Sequence, residues 1–516
     1  MIQSTAFILL SVLSATYASI GPIGELEIVN KMIAPDGFPR SAVLAGGTFP
    51  GPVIRLNKGD TLSMNVVDQL TDNTMLKSTS IHWHGILQKG TNFEDGPAFV
   101  TQCPIVPQGS FLYNFPVPDQ AGTFWYHSHL VHSPFACIIL TNALQILMTV
   151  RLPLHSQYSI SHRKLDTTII TLSDWYHFPS LVAGMRPAFN ATLINGLGRF
   201  AGGPLSELAV ISVTYGKRYR FRLISMSCDP NWIFSIDGHE MTIIEVDGVN
   251  HQPLTVDSIQ IFAAQRYSFV LTANAKVDNY WVRAQPMNQG FVNATNSAIL
   301  RYVGAPPADP TTTNTTSKQP LVETDLHPLV KTPVPGAPYP GGADVVLNLA
   351  ITLNQTAFRF NINNHSFVPP DVPVLLQILS GAHTAQELMP QGSVYELMPN
   401  QVVEISIPGG SPGSPHPFHL HGHNFFVIRS AGNSTYNFDN PVIRDTTSAG
   451  SSSSDLTTFR FVTDNAGPWF LHCHIDWHLN IGLAVVFAEN IPAIAQEKPP
   501  VAWTQLCPAY DASAKD

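Results

Sequence analysis

Charge is scarce in this sequence. Asp, Glu, Lys and Arg make up only 12% of its 516 residues while hydrophobic residues supply 44%, so long disordered tails are excluded and a compact protein with large cores is expected. The 27 basic residues are outnumbered by 36 acidic ones, giving a formal net charge of -9. That balance argues against a phosphate-binding surface, and no nucleic acid partner is expected. Long apolar runs are missing as well. The stretch Ala6 to Leu13 has about half of the roughly 20 residues that a spanning helix needs. Followed by small residues up to Ala18, it reads as a signal peptide over residues 1–18, cleaved before Ser19. A secreted, extracellular chain with no membrane partner is expected. Cysteines are few and odd in number, at five. Two disulfides in an oxidising compartment would leave one thiol that needs another role. The acceptor triplets at Asn190, Asn293, Asn314, Asn354, Asn364 and Asn433 fit a glycosylated secreted chain, although each is a weak signal alone.

What the sequence has in quantity is punctuation: 42 prolines and 35 glycines separate short runs rich in β-branched and aromatic residues. Gly51 to Leu56, Thr167 to Leu172, Tyr219 to Ile224 and Thr457 to Val462 are examples. This pattern predicts an all-β protein of sandwich-like domains with few long helices. The length favours two to four domains. A Pro/Thr/Gly-rich stretch from about Gly304 to Gly342 reads as an exposed connection between a middle and a last domain. A first boundary is placed near residue 150 by domain size and by the return of strand-like sequence at Asp166. The expected division is 19–150, 151–320 and 321–516.

The 20 histidines cluster. His-Xaa-His pairs occur at His82/His84, His127/His129, His419/His421 and His472/His474, near the two ends of the chain. In a strand, residues two apart share a face, so each pair aims two imidazoles in one direction, as metal ligands require. One pair could arise by chance; four in aromatic and Gly-rich contexts point to metal. One thiolate with two imidazoles suits a blue-copper site, and His472-Cys473-His474 supplies the thiolate on the opposite strand face from its flanking histidines. Cys473, His416 and His478 can then hold one copper while His472 and His474 face another centre. On this reading Cys473 is the odd cysteine, leaving Cys103, Cys137, Cys228 and Cys507 for pairing; the alternative is a disulfide at Cys473. His423, beside the same run, reads as a supporting or surface residue and is left out of the ligand set.

His82-Trp83-His84-Gly85, Trp125-Tyr126-His127-Ser128-His129, His416 to Gly422 and His472-Cys473-His474-Ile475-Asp476-Trp477-His478 resemble the four copper motifs of fungal laccases. The similarity covers nearly the whole mature chain and includes Gly96-Pro97-Ala98-Phe99, Ser173-Asp174-Trp175-Tyr176, Asn195-Gly196 and Pro468-Trp469-Phe470-Leu471. It implies three consecutive cupredoxin-like Greek-key β-sandwich or barrel domains and four coppers per chain. By motif, the type 1 copper falls to His416, Cys473 and His478, the type 2 copper to His82 and His419, and the type 3 pair to His84, His127, His129, His421, His472 and His474. The family pattern also suggests a Cys103–Cys507 disulfide joining the first and last domains. The implied activity is one-electron oxidation of phenolic substrates, of hydroquinone or lignin type, coupled to four-electron reduction of dioxygen to water, by a monomer. Asp229, in Ser227-Cys228-Asp229-Pro230-Asn231, stands where fungal laccases place a carboxylate that accepts the phenolic proton, with His478 carrying the electron. Asp95 and Asp476 are expected either to move protons to oxygen or to hydrogen-bond ligand imidazoles. Leu483 stands at the axial position, where it cannot coordinate and a higher potential than with methionine is expected. A ferroxidase or ascorbate oxidase would share the ligands and differ at the electron-entry pocket. A blue-copper electron carrier would leave the four histidine pairs unused.

One stretch departs from the family. From Val131 to Lys164 the resemblance lapses, with apolar runs at Cys137 to Leu140 and Leu144 to Met148 and no Asp or Glu from Gln120 to Leu165. It is either a genuine variant or, the preferred reading, the product of a shifted reading frame or a retained intron. The stretch should hold the closing strand of the first domain and a partner for Cys228, for which Cys137 is the candidate. It is expected to pack poorly, and the chain as written to load copper less completely than one with a family-like segment.

Overall fold

The computed structural model describes residues 19–130, the backbone of 148–151, and residues 169–184, 187–287 and 295–513. The expected signal peptide, Cys137 and its pairing with Cys228, and most of the atypical stretch lie outside the described residues. The chain is built of successive pairs of sheets. In the first pair, Arg40–Ala45, Ile23–Ile33, Thr61–Gln69 and Ser110–Pro116 form one sheet, and Ser19–Ile20, Val53–Asn57, Met148–Arg151, Thr123–Ser128 and Ile81–His84 the other. Alternation along Ser110–Pro116 turns Phe111, Tyr113 and Phe115 into the core and leaves the residues between them outside. The strand expected to close this unit is present: Met148–Arg151 runs parallel to Val53–Asn57 and antiparallel to Thr123–Ser128. The histidine strand Thr123–Ser128 therefore has its neighbour.

A six-stranded and a five-stranded sheet follow between Ile169 and Tyr302, and the last unit, Val345 to Glu489, repeats the pairing with a small hairpin added. Helices among the described residues are short, and none is long and apolar enough to cross a membrane. The Pro/Thr/Gly-rich connection is largely exposed yet held along its length. It bridges Ser258 through Pro320 and His251 through Pro328. Further on, the Arg460 guanidinium donates to the carbonyls of Pro335, Ala337 and Tyr339 at 2.9, 2.8 and 2.6 Å.

Two devices hold the first and last units together. Cys103 and Cys507 form a disulfide across 404 residues of sequence, which restricts the unfolded chain. The core of the first unit also continues into the last, where Phe470, Ala484 and Val486 pack in the same cluster as Ile81 and Trp83. The strands that carry histidines thus meet along a buried seam.

Candidate metal centre

The site starts from strand register. Ile81–His84 pairs antiparallel with Thr123–Ser128 so that His82 stands opposite His127 and His84 opposite Trp125. With a period of two, His82, His84, His127 and His129 project from one face, and Trp83 and Tyr126 from the other into the core. In the last unit, Pro417–Leu420 pairs with Gly467–Cys473, placing His419 opposite His472 and Phe418 opposite Cys473. His472 and Cys473 therefore leave the strand on opposite faces.

The Cys473 face holds a compact triangle. Cys473 Sγ lies 3.6 Å from His416 Nδ1 and 3.7 Å from His478 Nδ1, and the two nitrogens are 3.1 Å apart. A point in that plane sits about 2 Å from all three atoms, close to a metal–ligand bond length. His478 is half-buried, while every other candidate ligand is buried.

On the other face the histidines of both chain ends converge. His82, His84 and His127 bring ring nitrogens within 4.8 Å of one another, as do His82, His419 and His421, and His129, His421 and His472. His129 Nε2 and His421 Nε2 lie 3.3 and 3.1 Å from His472 Nε2. His474 stands with His84 and His127 by ring position, its centroid 5.2 Å from each. Burial, reinforced by neighbouring imidazoles, holds His84, His127, His129, His419, His421 and His474 well below the usual histidine range, and burial lowers His472 to about 3 and His416 to about 4. The rings are neutral, so each offers a lone pair.

Which nitrogen offers it is fixed from outside. His82 Nδ1 donates to the Asp95 carbonyl at 2.8 Å, His127 Nδ1 to the Ser128 carbonyl at 2.8 Å, His419 Nδ1 to the Asp445 carbonyl at 2.9 Å and His472 Nδ1 to the Cys473 carbonyl at 3.0 Å. His421 Nδ1 donates to Asp95 Oδ2 at 2.8 Å. The inward Nε2 atoms of His82, His127 and His419 are buried with no hydrogen-bond partner among the described residues. Orphaned acceptors are costly, and this many aimed at one space match a bound cation; outward Nδ1–H donors are how proteins orient metal-ligating histidines. Burial pushes the Cys473 thiol well above its ordinary range, so a thiolate there needs a cation beside it. The donor set fits copper at both places.

The carboxylates divide by role. Asp95 is buried between His82 and His421 and bonds both, so it orients ligand rings. Asp476 is buried with one carboxylate oxygen that has no hydrogen-bond partner among the described residues, and its amide donates to the Cys228 carbonyl at 2.9 Å. Asp229 is half-buried, and burial followed by the charge of Asp174 pushes its carboxyl up to about 7. His423 meets Glu489 at 2.9 Å away from the cluster. Sequence reasoning gave no role to Asp445. Its carboxylate lies 3.5 Å from His84 Nε2 and is gripped in bidentate fashion by Arg266 at 2.7 Å on both contacts. Gly85 makes room for this pair: a Cβ there would sit 2.5 Å from the guanidinium. The signal in sequence is Arg444-Asp445 interrupting an otherwise uncharged run from Pro441 to Ser454.

Sequence models of the multicopper oxidase family match residues 27–139, 166–305 and 367–493. This chain belongs to the multicopper oxidase family. The stretch 140–165 falls between two of these matches. Among relatives, a laccase of Trametes hirsuta is 58% identical over 98% of this chain and 97% of its own. Laccase-2 of Pleurotus ostreatus is 57% identical over 99% and 97%. Of solved structures, the laccase from Botrytis aclada superimposes with a TM-score of 0.81 at 30% identity, covering 98% of this chain and 95% of its own. Fet3p, a multicopper oxidase that functions in iron import, gives 0.82 at 25% identity over 96% of each chain. The fold of this oxidase is all-β and cupredoxin-like, and the full-length similarities support laccase function, an oxidoreductase activity that uses copper.

Proposed function

We propose that this oxidase is a secreted, monomeric laccase that takes single electrons from phenolic donors of hydroquinone or lignin type and reduces dioxygen to water. It would hold four coppers per chain: type 1 on His416, Cys473 and His478, type 2 on His82 and His419, and the type 3 pair on His84, His127 and His474 and on His129, His421 and His472. The domain division that goes with this is 19–150, 151–320 and 321–516. The observation that supports it best is the joining of two ligand faces by one tripeptide, His472-Cys473-His474, beneath a buried set of inward-facing imidazole nitrogens. Bound copper supplies the one-electron redox chemistry and, in numbers, the storage that matches one-electron donors to a four-electron acceptor.

The chain's own residues do the rest. His478 is the half-buried member of the triangle, and so the ligand that a phenol can best approach. Asp229 takes the phenolic proton, so that four phenols yield four electrons and four protons for each dioxygen turned into two waters. Its raised proton affinity, produced first by burial and then by Asp174, suits a base of this kind. Asp95 keeps His82 and His421 in place, and Asp476 and Asp95 are the buried carboxyls able to pass protons inward. Burial of the histidine cluster excludes bulk water.

Asp229→Asn should lower kcat/KM for a methoxyphenol more than for ferrocyanide, a donor that releases no proton, by about 10²-fold or more in the ratio. Equal losses for both donors would remove Asp229 from proton transfer. The axial reading has its own check. Leu483 is fully buried; its carbonyl accepts from the Cys473 amide at 3.0 Å and its amide donates to the His478 carbonyl at 3.1 Å. Leucine offers no donor atom, so Leu483→Met should lower the type 1 potential in a redox titration of the visible band. An unchanged or raised potential would place this side chain elsewhere.

A further inference from the structure

The turn that carries Asp229 is tied on both sides. Asp174, at the end of the strand Ile169–Trp175, is buried. Its Oδ1 accepts from the Cys228 amide at 2.9 Å and its Oδ2 from the Asp229 amide at 3.3 Å. The same Oδ2 accepts from the Tyr176 hydroxyl at 2.9 Å, and that hydroxyl accepts from Trp477 Nε1 at 3.3 Å. The two rings meet edge to face with centroids 5.7 Å apart. The ring of bonds closes where the Asp476 amide donates to the Cys228 carbonyl at 2.9 Å. The middle unit, through residues 174, 176, 228 and 229, is thus clasped to residues 476 and 477, immediately before His478.

We infer that Asp174 is a positioning residue for phenol oxidation: by gripping two successive amides of the turn, and being gripped through Tyr176 by Trp477, it fixes the turn that carries Asp229 against the segment that leads directly into His478. This rests on the reading of Asp229 as proton acceptor. An electron and a proton leave the same phenol, so one donor pose must satisfy both residues, which belong to different units of the fold. A displacement of about 1 Å in such an arrangement can cost about 10²-fold. Two bonds to consecutive amides determine where the turn sits and which way Asp229 leaves it. A carboxylate is needed because the three groups aimed at it are all donors. An asparagine would present one N–H to an N–H. Tyr176 serves as the link because its hydroxyl both accepts and donates.

The test uses the copper-loaded enzyme. Asp174→Asn should keep the visible band while kcat/KM for a methoxyphenol falls about 10- to 100-fold and that for ferrocyanide changes by less than about two-fold. A second readout needs no turnover. The electron-poor ring of 4-nitrophenol resists oxidation and its absorbance reports whether it is ionised when bound; the phenolate fraction should fall in Asp174→Asn. Where that variant fails to load copper, Tyr176→Phe, which removes one bond and keeps the ring, should show a smaller loss of the same selectivity. Equal losses with both donors at full colour, or no loss in either variant, would overturn the inference. Asp229→Asn separates the two readings. If it leaves the donor ratio unchanged, the proton-acceptor reading fails. If it changes the ratio and Asp174→Asn does not, only the clasp fails.

Discussion

Cys473→Ser should yield a folded protein without the intense visible charge-transfer band and with phenol oxidation reduced to background. Sγ forms one vertex of the triangle with His416 and His478, and it ends the strand Gly467–Cys473, whose side chains are all buried. Serine is nearly isosteric, so the surrounding core, including Phe418 and Leu483, keeps its contacts and the fold should survive. The chemistry does not, because an alcohol oxygen is a hard, weakly acidic donor where a soft thiolate binds copper. The same change would also cut the connection between the two centres, since a copper held by His416 and His478 would reach His472 and His474 through Sγ and the main chain of residue 473. The histidine cluster keeps its ligands, so copper bound there should remain. Absorption and steady-state oxidation check this, and a blue, active variant would contradict the ligand assignment.

Arg266→Met should destabilise the enzyme by about 3–5 kcal/mol, the usual cost of removing one partner of a buried ion pair. Arg266 is fully buried between Asp445, which it binds through both nitrogens at 2.7 Å, and Asp247, which accepts its amide at 2.8 Å. Arg444 binds Asp247 at 2.9 Å and Glu323 at 2.6 Å, so carboxylates and guanidiniums alternate along one chain that is buried up to the half-buried Glu323. Methionine fills much of the space but leaves Asp445 without its counter-charge. The damage should reach the metal centre, since the Asp445 carbonyl accepts from His419 Nδ1 and its carboxylate lies beside His84. Thermal inactivation should move to lower temperature, and copper bound at His82 and His419 should be lost before the visible band. Adding Asp445→Asn to Arg266→Met removes the stranded charge and should recover part of the stability. Unchanged inactivation and full copper in the single variant would show that the pair neither supports the fold nor the site.

Much of the site is legible in the sequence because ligand chemistry restricts residue type and strand geometry restricts spacing. His82/His84, His127/His129, His419/His421 and His472/His474 announce themselves by a spacing of two, and the odd cysteine by arithmetic. The all-β fold follows from proline and glycine separating short β-rich runs. The supporting residues are less visible. Arg266 and Asp445 are 179 residues apart, and only sheet packing shows that they meet; alone, one is a charged residue that opens a strand and the other a charged residue at the bend between two short strands. Asp174 lies within a motif quoted for its resemblance, yet its importance comes from Cys228, Asp229 and Tyr176 converging on it. The Pro/Thr/Gly-rich connection conveys exposure through composition, whereas its attachment runs through main-chain bridges such as His251 to Pro328, which side-chain identity does not encode. The atypical stretch reads as foreign by composition, yet Met148–Arg151 still supplies a paired strand, because a ladder needs an extended backbone more than a particular sequence.

The most direct measurement is copper content per purified chain, taken together with oxygen uptake during oxidation of a simple methoxyphenol. The ligand geometry predicts about four coppers per chain, a blue protein, and one dioxygen consumed for every four phenols oxidised. About one copper per chain with colour but no oxygen uptake would instead describe an electron carrier, and would contradict the reading of the buried histidine cluster as the place where dioxygen is reduced.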